Sequence, residues 1–236
     1  MRHELKNGPD FASLTFTFDA PGEELRTESG AMLAKDTAVA MTTSLQGGFG
    51  AALKRKLLGG ESLFQNTFRS TRSGERLLVA PAVEGSIGMK TLAPGEELFL
   101  QSGAYLASTA DLTLDTKWQG VRGFFAAGLF LLRAVGPGTV WFSTYGALHE
   151  VALTGGAYVV DNTHLVGFDS GLTYRVERVG GLKSLFFSGE GLVCRMQGSG
   201  KVYVQTRNPS NLAFFLQPFR PVRSRSAVNV AVSSVE

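Results

Sequence analysis

The residue types able to catalyse or to hold a metal are few in this chain, and their spacing suits neither task. Histidine occurs only at His3, His149 and His164. No two of them have the H-x-H or H-x3-H spacing that puts a pair of imidazoles on one side of an element. His149 and His164 fall on successive expected strands, where two unrelated strand histidines are the default. Cys194 is the sole cysteine, so no internal disulfide can form. It follows Val193 in an alternating stretch and reads as a buried, inert thiol. Gly-x-Ser-x-Gly is absent. The carboxylate pairs Glu23-Glu24 and Glu96-Glu97 recur inside a turn, which argues for a solvated turn over an acid/base pair. Gly48-Phe49-Gly50 invites comparison with phosphate loops, but neither the P-loop nor the dinucleotide fingerprint is completed. The expectation is a protein without enzymatic activity, cofactor or metal; the rival reading is an enzyme or a binder of a small ligand or metal that uses a cavity between the chain's repeated units.

A different constellation calls for an explanation. Three glycine-flanked segments mix cations with bulky apolar residues. The first, over 47–68, holds Lys54, Arg55, Lys56, Leu57 and Leu58. The second, over 119–145, holds Arg122, Phe124, Phe125, Leu129 and Phe130. The third, over 179–204, holds Lys183, Phe186 and Phe187. Such segments either cap a core, with the cations at its rim, or form a contact face. If symmetry brings the three tips to one side, the face would dock another subunit, a protein partner or an anionic membrane surface. Self-association into a homo-oligomer fits best, because the second segment is long and poor in charge. RNA binding fits least: the aromatics fall mostly on the core-facing alternation.

The elements that must carry these segments are strands. Among 236 residues, 29 are Gly and 17 are Phe, a composition suited to short strands and tight turns. Hydrophobic residues make up 44% and charged ones 18%, enough apolar content for a substantial core. The net charge of +3 is too mild to imply nucleic acid by itself. The amino-terminal stretch lacks the apolar core of a signal peptide. The longest apolar run, 124–132, is far short of the roughly 20 residues that span a bilayer. A cytoplasmic protein is expected, with docking at a membrane surface as its one membrane role.

The chain also repeats itself. APGEEL at 20–25 returns at 93–98, and Ser29-Gly30-Ala31 returns as Ser102-Gly103-Ala104, both at an offset of 73 residues. A third copy over 154–174 follows the same pattern without the identities. Strands are expected at Leu14–Phe18, Ser62–Phe68, Thr139–Tyr145, Gly191–Met196 and Val202–Gln205, from period-two alternation. Helix candidates are Phe49–Leu58, Val121–Val135 and Leu212–Gln217. The last follows Asn208-Pro209-Ser210 as a cap and meets Pro218 as a stop.

The Ser-Gly-Ala step, GGESLFQNTF at 59–68, the GTVWFSTYG stretch and the closing QTRNPSNLAFFLQPF together resemble the altered-inheritance-of-mitochondria protein 24 family. The resemblance covers about residues 1–221. It implies an all-β fold of three tryptophan-RNA-binding-attenuator-like units in pseudo-threefold arrangement. It also implies a link, in mitochondrial members, to inner-membrane organisation, and it brings no catalytic motif. The expected organisation is one compact domain over 1–221. Its β-sandwich or β-roll-like repeats lie at about 20–92, 93–153 and 154–208, with a short helix at 210–217. Residues 222–236 form a tail.

Overall fold

The computed structural model describes residues 1–45, 64–115, 131–178 and 192–220. The first part of the chain forms β1 (Arg2–Lys6), β2 (Ser13–Thr17), β3 (Glu24–Glu28), β4 (Met32–Lys35), β5 (Ala40–Leu45), β6 (Phe64–Arg69) and β7 (Arg76–Val79). The middle forms β8 (Ile87–Leu92), β9 (Glu97–Gln101), β10 (Tyr105–Thr109), β11 (Thr113–Asp115), β12 (Leu131–Val135) and β13 (Gly138–Ser143). The last part forms β14 (Leu148–Asp161), β15 (Leu165–Asp169), β16 (Leu172–Arg178), β17 (Leu192–Gln205) and the helix α1 (Pro209–Leu216). The protein is thus mostly β, with few short helices.

Three sheets result, ordered β1-β2-β7-β4, β5-β6-β3-β10-β13-β8 and β11-β12-β9-β15-β17-β14, with β16 also on β17. The duplication is written into their pairing. β4 slips by one residue against β7 between Met32 and Ala34. β10 does so against β13 between Tyr105 and Ala107, again 73 positions on. β15 does so against β17 between Leu165 and Gly167. Such bulges re-aim a strand, and their recurrence at equivalent places is consistent with a repeat-like architecture.

The repeated APGEEL is a corner. Gly22 and Gly95 adopt φ of 87° and 79°, open to glycine at little cost. The following glutamate closes the turn: Glu23 accepts the Asp19 amide at 2.7 Å, and Glu96 accepts the Ala93 amide at 3.1 Å. That amide, then Lys90, holds the Glu96 carboxyl below its ordinary range. The first acid of each pair closes the turn, while the second, Glu24 or Glu97, opens a strand and faces Arg69 or Arg133. In the third copy Gly155-Gly156 replaces the corner, and β14 runs on through it for 14 residues.

Alternating residues build three cores. Phe16, Phe18, Leu25 and Phe68 form one, joined by Leu106 and Trp141 of the next copy. Leu98, Leu100, Tyr105 and Phe142 form the second, joined by Val166 and Tyr203. Phe168, Cys194, Met196 and Val202 lie in the third. Each fully buried Leu or Phe contributes roughly 1.5–3 kcal/mol.

The expected strand over Ser62–Phe68 appears as Phe64–Arg69, and the one over Gly191–Met196 is the first half of β17. The helix expected over Val121–Val135 is overturned at its described end: Leu131–Val135 is β12, paired with β9 on one side and β11 on the other. Two ladders of backbone hydrogen bonds outweigh the helix propensity of Leu, Arg and Ala. The candidate Phe49–Leu58 lies outside the described residues. At the carboxyl end the cap is as read: the Asn208 side chain accepts the Asn211 amide at 2.8 Å, with Pro209 opening α1. A 3-10 turn over Gln217–Phe219 follows.

Cys194 is buried, and that burial pushes its thiol up to about 12. At pH 8 the native protein is expected to resist iodoacetamide for hours and to react within minutes in denaturant. Intact-mass spectrometry checks this; rapid native labelling would show an open third core.

Candidate functional site

Glu28, Gln101 and Asp161 end the first strand of each repeat, and equivalent loops follow them. The loops are Ser29-Gly30, the 3-10 turn Ser102–Ala104, and Asn162-Thr163. Glu28, Gln101, Gly103, Ala104 and Thr163 meet around one cleft of 410 Å³. Its other wall comes from the ends of the repeats: Ala82 and Val83, then Ser143 to Tyr145, then Gln205 and Asn208 with Pro209 and Ser210. Thus all three copies converge on one hollow.

A hydrogen-bond network fixes this lining. Gln101 Nε2 donates to the Asn162 carbonyl at 2.9 Å. Asp161 Oδ1 accepts the Thr163 amide at 2.7 Å. Gln205 spans the two walls: its Oε1 accepts the Tyr145 amide at 2.9 Å, and its Nε2 donates to the Thr163 carbonyl at 3.2 Å. His164 Nδ1 lies 2.7 Å from the Gln205 carbonyl, which can only accept, so Nδ1 carries the proton. Nε2 then accepts from Asn208 Nδ2 at 3.0 Å. Asn208 therefore caps α1 with its oxygen and ties it to His164 with its nitrogen.

Among the described residues Glu28 is the one carboxylate of the lining, beside hydroxyls of Ser143, Tyr145 and Ser210 and apolar surface from Ala82, Val83, Ala104 and Pro209. The Thr144 hydroxyl is engaged with the carbonyls of Ser86 and Gly146. Among the described residues no three His, Cys, Asp or Glu cluster as metal ligands. His149 and His164 do not meet, because β17 lies between β14 and β15. His3 packs edge-on against Trp141, with ring centroids 5.2 Å apart.

The expected contact face does not fall within the described residues. Lys54, Arg55, Lys56, Leu57 and Leu58 lie outside the described residues. So do Arg122, Phe124, Phe125, Leu129 and Phe130, and likewise Lys183, Phe186 and Phe187. The strands on either side of them are described. β5 pairs with β6, β11 with β12 and β16 with β17, so the three segments join equivalent hairpins.

The structure shows apolar surface that sequence reading missed. No residue of α1 is buried. Phe214 and Phe219 are each 72% exposed, Phe215 and Leu216 also lie open, and the rings of Phe215 and Phe219 are 5.8 Å apart. The available signal was NLAFFLQPF itself, a helix too apolar all round to be an ordinary surface helix. No helix among the described residues is long and apolar enough to cross a membrane.

Comparison with known proteins agrees with this architecture. An uncharacterized protein of Streptococcus pyogenes serotype M6 is 29% identical over 213 residues, covering 86% of this chain and 85% of that protein. A crystal structure of a Streptococcus pyogenes protein superimposes with a TM-score of 0.78 at 25% identity, over 93% of this chain and 99% of that one. The model of the family described as Mitochondrial biogenesis AIM24 matches residues 3–207, and with nearly the whole chain covered this protein belongs to that family.

Proposed function

We propose that this protein is a non-enzymatic, self-associating interaction module. The observation that carries the reading is α1, a helix whose large apolar side chains all face solvent. A monomer rarely leaves such a surface wet, because each exposed Phe forgoes roughly 1.5–3 kcal/mol of burial. Light scattering after gel filtration should give at least twice the chain mass of 25.2 kDa. The pair Phe214→Ser and Phe215→Ser should weaken assembly at least tenfold without changing the circular dichroism. A monomeric parent would overturn the reading.

The convergence of all three copies on one cleft supports two finer statements. The units sit about a pseudo-threefold axis through the cleft, as in tryptophan-RNA-binding-attenuator-like folds. The cleft, lined by hydroxyls, amides and apolar side chains, takes a small polar molecule. Native mass spectrometry of freshly purified protein should show a small adduct that Gly103→Trp, whose ring would fill the cleft, releases; an adduct indifferent to that change would place it elsewhere.

A further inference from the structure

β4, β10 and β15 are equivalent strands, and each bears the same bulge. Two of them join their repeat to the first strand of the preceding one. β10 pairs with β3, setting Ala107 opposite Thr27 and Ser108 opposite Arg26. β15 pairs with β9, setting Gly167 opposite Leu100 and Phe168 opposite Phe99. By the same rule β4 should join the first strand of the third repeat, the 157–161 half of β14. It does not: among the described strands β4 pairs only with β7, and β14 only with β17.

The bulge residues report the difference. Leu106 and Val166 are 0% and 1% exposed, whereas their counterpart Leu33 is 61% exposed. On the other edge Val159, the counterpart of Arg26 and Phe99, is 53% exposed, and Tyr158 is 40% exposed. Proteins usually blunt a free strand edge with charge, proline or a cover. Met32-Leu33-Ala34 carries no charge or proline, and Lys35 at the end of β4 spends its ammonium on the Val39 carbonyl at 2.7 Å. Ala34 also keeps the small side chain that the closed joints need. At Gly167 an added Cβ would meet the Phe99 carbonyl at 2.5 Å. An edge that faced water permanently would have no such requirement.

The reason the joint is open within one chain is local. Pro21-Gly22 and Pro94-Gly95 turn the chain between separate strands before β3 and β9, whereas β14 stays in one ladder with β17 across a bulge between Thr154 and Ala157, where Gly155 takes a φ of 88°. The first strand of the third repeat is therefore not turned at a corner as β3 and β9 are.

We propose that β4 of one molecule pairs antiparallel with the 157–161 half of β14 of a second copy, completing between molecules the joint that the chain makes twice within itself. Main-chain hydrogen bonds supply the attraction, and Leu33, Tyr158 and Val159 supply the burial. The closed joints set the register: Lys35 lies opposite Val159, and Ala34 opposite Val160. Every copy carries both edges, so a two-fold axis satisfies them reciprocally and gives a closed dimer. This inference rests on the reading of the protein as self-associating, and it names the contact.

The test uses full-length protein in three forms: Lys35→Cys, Val159→Cys, and the two changes in one chain. Paired Cα atoms lie about 4.5–5.5 Å apart, within disulfide reach. Mild oxidation of an equimolar mixture of the two single variants should give a reducible dimer containing one chain of each. Ala152→Cys in place of Val159→Cys should not. Leu33→Asp should weaken dimerisation at least tenfold with unchanged circular dichroism, because that side chain is exposed. A parent that light scattering finds monomeric would overturn both this contact and the broader reading. An oligomeric parent without the mixed disulfide would overturn this contact alone. A disulfide confined to one chain in the double variant would also overturn it, since the joint would then close internally.

Discussion

Replacing Gly167 by Val is expected to lower the free energy of unfolding by about 3 kcal/mol, enough to leave a marginal domain partly unfolded at 37 °C. Gly167 sits in β15 at the joint with β9. A Cβ there would meet the Phe99 carbonyl oxygen at 2.5 Å and Leu100 Cδ2 at 2.7 Å. The carbonyl is backbone and cannot swing aside as a side-chain tip would, so the strands must part. The equivalent place in the other closed joint is Ala107, opposite Thr27, where a methyl group is already accommodated. Ala107→Gly should therefore cost only about 1 kcal/mol, through strand entropy and lost burial. Urea unfolding of the three proteins checks the order. If Gly167→Val proved as stable as the parent, the β9–β15 pairing would be wrong.

The second large effect concerns Phe142 and Gly88, which face each other across β13 and β8. Phe142 is fully buried and meets Tyr203 edge-on, with centroids 5.0 Å apart. Phe142→Ala should cost about 3–5 kcal/mol, from lost burial and the cavity left behind. A Cβ on Gly88 would come within 2.3 Å of the Phe142 ring, so Gly88→Ala should cost about 2 kcal/mol on its own. With Phe142 already Ala, the ring is gone and the second change should cost almost nothing. The cycle thus predicts a coupling energy of about 2 kcal/mol between the two sites. Additive costs would show that the ring does not lie over the glycine.

The repeat was legible because a corner demands particular letters. Pro fixes one φ, Gly takes a positive one and Glu closes the turn, so the same six residues appear twice. Where the third copy replaces the corner by a bulge within β14, those letters are gone and only the alternation remains. The helix at 209–216 was equally legible, since Asn208 and Pro209 are local signals. β12 was not: Leu131-Leu132-Arg133-Ala134-Val135 suits a helix by propensity, and only its two neighbours make it a strand. The cleft drew on residues from Glu28 to Ser210, gathered by strand register, which single-sequence reading does not supply. The open edge was hidden for a sharper reason. Leu33 and Leu106 are the same residue in the same register of two repeats, and nothing local distinguishes the one at the surface from the one inside. The three basic-apolar segments, where the sequence placed its contact face, lie outside the described residues, and exposed apolar side chains stand instead on α1 and β4 among those described.

Asn208 stands in both places that matter. Its side chain holds the first turn of α1 and the ring of His164, while the residue itself borders the hollow shared by the three repeats. A molecule filling that hollow and a partner covering the aromatic helix would therefore press on one common hinge pin. Whatever factor one applies to the affinity of the other, thermodynamic linkage returns the same factor in the reverse direction. Occupancy measured with and without the assembled state would reveal this as a shift in one titration midpoint matched by a shift in the other, and Asn208→Ala should abolish both shifts together.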